Sequence, residues 1–160
     1  MIDAHDLAEA FAHNLAIAKM QSAGLTQEDS LRQQPVQGNC LNWVLGHIAI
    51  HRDKVLALLG EPPLMGEAGA RYQRESEPLT AADSGVLPLE ELLDWIARAQ
   101  ERITVALSTT DEAAFAREAS GNGRKRTVGQ AIFFLYFHEC YHIGQTELFR
   151  QLAGKTDKLI

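Results

Sequence analysis

Two pairs of histidines offer this chain of 160 residues its clearest chemistry: His138 and His142 within His138-Glu139-Cys140-Tyr141-His142, and His47 and His51 within "GHIAIH". Residues four apart share one face of an α-helix, so each pair can aim two imidazoles at one point. Neutral imidazole is a common ligand for divalent metals, and a carboxylate nearby can take a proton from metal-bound water. The segment 138–142 also spells H-E-x-x-H, the short signature of zinc peptidases. Glu139 is turned ~100° from His138 and ~60° from His142, toward a flanking helix or the rim of a pocket. Three roles are open to it: a solvated or salt-bridged residue, an acceptor for a ligand histidine, or a general base.

A peptidase needs more than this. Its third ligand follows the motif, either as a histidine shortly after a glycine or ~20 or more residues later. Here only 18 residues follow His142 and none is histidine. Glu147 sits one turn along the same helix, off the stripe, and no strand is predicted that could hold an extended peptide. A ferritin-like di-iron site requires two E-x-x-H motifs and two further glutamates, whereas Glu139-x-x-His142 is a single copy. His5 and His13 are unpaired and read as surface residues.

Helices must position the two pairs. The first runs from about Asp3 to Ala23, with Leu7, Phe11, Asn14, Ala18 and Gln21 on one stripe and Gly24 as its stop. Thr26 caps a short helical turn before Pro35. Asn39 is the predicted cap of a second helix whose Val44, His47, His51, Val55 and Leu58 share a stripe, closed by Gly60, Pro62 and Pro63. From Glu61 to Leu87 no period is sustained, so this is a long connection of the kind that shapes a site. Pro88 at position N1 opens the third helix, with Leu89, Leu92, Ile96, Ala99, Ile103 and Leu107 facing inward. Thr127 and Gln130 form a capping box for the fourth, which ends near Ala153 before Gly154. Its predicted stripe is Ala131, Leu135, His138, His142, Gln145, Phe149 and Leu152.

The expected fold is therefore all-α: one domain spanning 1–160, a four-helix bundle with a long connection between helices 2 and 3. His138 and His142 take core positions, and either His47 or His51 could meet them across the axis. Three histidines from two helices would leave coordination positions open, the arrangement of a catalytic metal rather than a structural one.

Composition excludes several alternatives. Apolar runs such as "AIFFLYF" fall well short of the ~20 residues that span a bilayer, so no membrane span is expected. The acidic start lacks the basic region of a secretory signal, which points to a cytoplasmic location. Cys40 and Cys140 match no disulfide framework and are expected to be reduced. A net charge of -6 argues against nucleic acid as a partner.

Two segments, "NWVLGHIAIHRDKVLALLG" and "TVGQAIFFLYFHECYHIGQTELFRQLAGK", make the chain resemble the DinB/YfiT-like superfamily of metal-binding four-helix bundles over nearly its whole length. That resemblance implies a metal triad of His47, His138 and His142 holding one divalent ion, zinc or nickel, with His51 one turn outside it in a supporting or pocket role. It also implies homodimers built through helix faces. Family members of known activity are transferases using bacillithiol, mycothiol or glutathione, together with a maleylpyruvate isomerase. The function so implied is a metal-dependent S-transferase joining a small thiol to an electrophilic small molecule; the resemblance assigns no catalytic residue, and Glu139 and His51 are the candidates the sequence offers. A non-catalytic metal-binding or stress-response bundle and a metallohydrolase using Glu139 as base are the alternatives.

Overall fold

The long helices form where capping and periodicity place them, in a computed structural model that describes residues 3–35, 38–80, 83–119, 125–157 and 159. Helix α1 (Ala4–Ser22) begins where the Asp3 carboxylate accepts from the Asp6 amide and ends at Gly24, whose φ of 71° favours glycine. Its five predicted inward residues are all buried. Helix α2 (Gln27–Ser30) is the expected short turn, closed by a capping box between Thr26 and Asp29.

Helix α3 (Leu41–Leu58) starts from Cys40, not from Asn39, and no side chain caps it. Helix α4 (Leu89–Ser108) likewise begins one residue later than predicted, with Pro88 as its N-cap residue and not at N1. Proline has no side-chain acceptor, and Gln27 Oε1 supplies one by accepting from the Leu89 amide at 2.7 Å. Every predicted inward residue of α4 is buried. The five-residue α5 (Glu112–Ala116) is too short to show a period and escaped prediction. Helix α6 (Val128–Leu152) has the predicted capping box and stops before Gly154 at φ 82°.

Helices α1 and α3 each pack against both α4 and α6, which closes a four-helix bundle. Its apolar core falls into two clusters along the axis. One gathers Ala18, Leu45, Ile48, Leu92, Ile96 and Ile143, and the other gathers Phe11, Val55, Leu56, Ala99, Ile103 and Ile132. Buried Asn14, Arg52 and Glu139 lie between them in sequence on α1, α3 and α6, and with buried Gln100, one residue past Ala99 on α4, they form a polar layer across the bundle.

The inner face of α6 differs from the predicted stripe. Ile132, Glu139, His142, Ile143, Thr146, Phe149 and Arg150 are buried, while Ala131, Leu135, His138, Gln145 and Leu152 are only partly so. Two causes combine. The outer face of α6 is itself apolar, with Phe133, Phe134, Phe137, Tyr141 and Leu148 exposed, so sequence period locates its centre poorly. Arg52 also draws Glu139 inward as its ion-pair partner. Glu139 is thus a core residue, not the rim residue its helical angle implied.

The long connection is folded onto α3 through a 3-10 helix, Gly66–Tyr72. Two glycines permit this approach: a Cβ at Gly46 would overlap the Tyr72 ring, and one at Gly69 would meet Ile50 Cγ2 at 2.7 Å. Asp53 fixes the start of the segment by accepting from the Leu64 and Met65 amides at 2.8 and 2.9 Å. Asn42 and the Tyr72 hydroxyl fix its end at Leu87.

Candidate metal centre

Helices α3 and α6 bring all four paired histidines together. Ring centroids are 4.3 Å apart for His47 and His51, 4.3 Å for His51 and His138, 4.6 Å for His138 and His142, and 5.0 Å for His142 and His47. The four imidazoles make a closed ring. Ligand atoms of His47, His51 and His138 all lie within 4.8 Å of one another. His142 joins them through its Nε2, 3.3 Å from His138 Nε2. His5 and His13 remain on the surface, as expected.

Hydrogen bonds determine which nitrogen each ring offers. A carbonyl oxygen only accepts, so Nδ1 of His47, 2.7 Å from the Tyr72 carbonyl, carries the proton and leaves the Nε2 lone pair free. His51 Nδ1 donates to the His47 carbonyl at 2.8 Å, and His142 Nδ1 donates to Gln145 Oε1 at 2.8 Å. This is the usual arrangement of metal-binding histidine, with one nitrogen oriented by an oxygen and the other presented to the ion. His138 Nδ1 is buried without a partner. His51 differs in another respect: its Nε2 is 3.2 Å from the Lys54 ammonium, whose proton occupies that lone pair.

Burial keeps the rings neutral. Loss of solvent is the largest cause in each case, pulling His47 and His138 down to about 4 and His51 to about 3, and lowering His142 as well. A neutral ring is the ligating form. Trp43 stacks on His47 with centroids 4.4 Å apart and is held by its indole N–H donating to Ser76 Oγ at 2.8 Å. The donor set is all nitrogen and could hold a metal ion.

Glu139 stays outside this group. Arg52 Nε and Nη2 donate to its two oxygens at 2.9 and 2.7 Å, which realises the salt-bridged role but within the core. Neither oxygen bonds a histidine. Sequence reasoning did not single out Tyr72, Gly46, Lys54 or Arg52. Gly46 carried the one usable signal, because glycine inside a helix costs ~1 kcal/mol against alanine and calls for a reason such as close approach.

Comparison with known proteins agrees with this architecture. The family model of the DinB superfamily matches residues 7–146, a span that holds all four clustered histidines. A solved structure described as the conserved protein of locus from Enterococcus faecalis superposes with a TM-score of 0.73 at 16% identity, covering 93% of this chain and 96% of that one. At that identity the likeness concerns the fold. No curated protein sequence matches significantly. Among the described residues, no helix is long and apolar enough to cross a membrane.

Proposed function

Because this chain belongs to the DinB superfamily, we propose that His47, His138 and His142 hold one divalent ion, zinc or nickel, and that the protein transfers a small thiol to an electrophilic small molecule. The observation that carries the metal reading is the shared orientation of His47 and His142, each with Nδ1 donated to an oxygen so that Nε2 carries the lone pair, that of His142 facing His138 Nε2 at 3.3 Å. His142 is preferred to His51 as third ligand because the His51 lone pair faces the Lys54 ammonium, whereas that of His142 faces only the neutral imidazole of His138. His47, His138 and His142 as neutral imidazoles would hold a divalent ion, which when bound would supply Lewis acidity able to favour ionisation of a thiol near neutral pH.

The chain's own residues prepare that position. Tyr72 and Gln145 fix ring orientation, and Trp43 covers one face of His47. Lys54 places a positive charge beside His51, suited to an anionic group on an incoming thiol. Hydrolysis with Glu139 as base is disfavoured, since Arg52 engages both carboxylate oxygens. Metal analysis of protein purified without an affinity tag, followed by thiol consumption with an electrophile, tests the reading. One ion per chain and thiol-dependent turnover are expected. Metal without turnover would leave a non-catalytic metal protein, and ester cleavage without thiol would favour a hydrolase.

A second copy of the chain is the proposed partner for the outer face of α6. Phe133, Phe134, Phe137, Tyr141 and Leu148 are 42% to 65% exposed and follow one another along ~22 Å of helix. At about 200 Å² per aromatic side chain, they expose about 500 Å². Two such faces would bury about 1,000 Å², near the lower bound for a specific interface. Gly144 lies in the same stripe with open space at its Cβ position, leaving room for a neighbouring helix. Phe137→Glu should yield a monomer in sedimentation; a wild-type monomer at high concentration would refute the pairing.

A further inference from the structure

Arg52 is fully buried, and its partner Glu139 is 1% exposed. All five guanidinium N–H groups are used. Nε and Nη2 donate to Glu139 of α6, Nη2 also to the Phe11 carbonyl of α1 at 2.8 Å, and Nη1 to the Ile96 carbonyl and Gln100 Oε1 of α4 at 3.1 and 3.0 Å. Gln100 Nε2 then donates to the Ala8 carbonyl of α1 at 3.0 Å. One side chain on α3 thereby ties all four long helices at the level where the apolar core divides. Arg52 directly follows His51, and Glu139 directly follows His138.

From this juxtaposition we infer that Arg52 and Glu139 are positioning residues of the metal centre: their buried ion pair sets the axial register of α3 against α6 and so brings the two histidine pairs within reach of one ion. The inference rests on the metal reading above. Stability alone does not account for the pair, because removing two charges from water is costly and well-packed apolar replacements of a buried ion pair are often equally stable or more so. Apolar packing tolerates sliding, whereas a guanidinium fork on a carboxylate accepts one alignment. A single polar residue sets register in the same way inside a coiled coil. The scale is decisive: slipping α6 by one turn moves it ~5.4 Å, more than any centroid separation around the four-histidine ring, which spans 4.3 to 5.0 Å. Glu139 touches no histidine, so its influence passes through the backbone of α6.

The test uses the full chain, with cobalt(II) as a spectroscopic probe, zinc in competition with a chromophoric chelator, and thermal unfolding of the metal-free protein. The double variant Arg52→Met with Glu139→Leu should keep a melting temperature near or above wild type, yet bind cobalt ~10–100-fold more weakly and with an altered visible spectrum. Gln100→Leu cuts a tie to α1 and α4 while sparing the α3–α6 pair; it should lose stability but keep cobalt affinity and spectrum. Wild-type affinity and spectrum in the double variant would overturn the inference, as would an equal loss of affinity in Gln100→Leu. Should the double variant not fold, Arg52→Lys carries the test, because it keeps the charge but not the fork; an unchanged spectrum and affinity there overturns the inference. A wild-type chain that binds neither cobalt nor zinc would remove the metal reading itself, and the positioning role with it. Normal wild-type binding with an unaffected variant removes the positioning role alone.

Discussion

The Tyr72 carbonyl oxygen lies 2.7 Å from Nδ1 of His47, so a residue of the long connection orients an imidazole of α3. Gly46 makes this contact possible, since any Cβ there would overlap the Tyr72 ring. Gly46→Ala should therefore displace Tyr72 and weaken metal binding ~10-fold or more, in the range seen when the outer partner of a metal-bound histidine is lost. Helical content should persist, because alanine favours helix. Chelator competition and far-ultraviolet circular dichroism together check this, and unchanged affinity would show that the loop does not orient the ring.

Substitution of each histidine by alanine separates ligands from neighbours. Loss of His47, His138 or His142 should reduce affinity by more than the ~10–100-fold of an outer partner. His51→Ala should cost less, because Lys54 shares its lone pair. Isothermal titration with zinc ranks the four. A large loss at His51 with little at His142 would instead make His47, His51 and His138 the ligand set.

Chelation should leave the helices in place. The apolar residues of both core clusters are buried without help from an ion, so the metal adds stability by binding the folded state but does not create that state. Circular dichroism before and after a strong chelator should agree, with a lower melting temperature after. Collapse of the helical signal would reclassify the site as structural.

The metal-free protein should lose stability in mild acid. Burial lowers His47 and His138 to about 4 and His51 to about 3 from 6.5. As pH falls through 6.5 the unfolded chain takes up protons that the folded rings refuse, so the unfolded state gains; the stability these groups contribute is full above 6.5 and declines toward about 3 to 4. Urea midpoints for the metal-free chain should be lower near pH ~5 than near pH ~7.5. Equal midpoints would mean that the rings are more accessible to water than their burial implies.

Legibility in the sequence followed contrast between helix faces. On α4, Glu90, Glu91, Asp94, Arg98, Glu101 and Arg102 lie away from a single apolar stripe, and every predicted inward residue proved buried. On α6, phenylalanines line the outside as well, so period alone placed the centre among the histidines when it falls on Glu139 and Ile143. The histidine pairs were visible because i, i+4 spacing is local. The Arg52–Glu139 pair was not, for its members stand 87 residues apart and no local rule joins them. The 3-10 segment shares this difficulty: its position follows from contacts at Gly46, Ile50 and Asp53, all on another element.

Three consecutive residues of α3 serve three different neighbours: His51 faces the imidazole ring, Arg52 enters the polar layer, and Asp53 holds the amides of Leu64 and Met65. Each step along a helix turns the side chain by ~100°. Deleting or inserting one residue between His47 and Asp53 would thus misdirect site, layer and loop in a single event, a coupled failure that point substitutions at any one of them do not produce. This part of α3 should not tolerate a change of length, so engineered insertions belong elsewhere in the chain, and a library that varies length here should yield almost no metal-binding survivors.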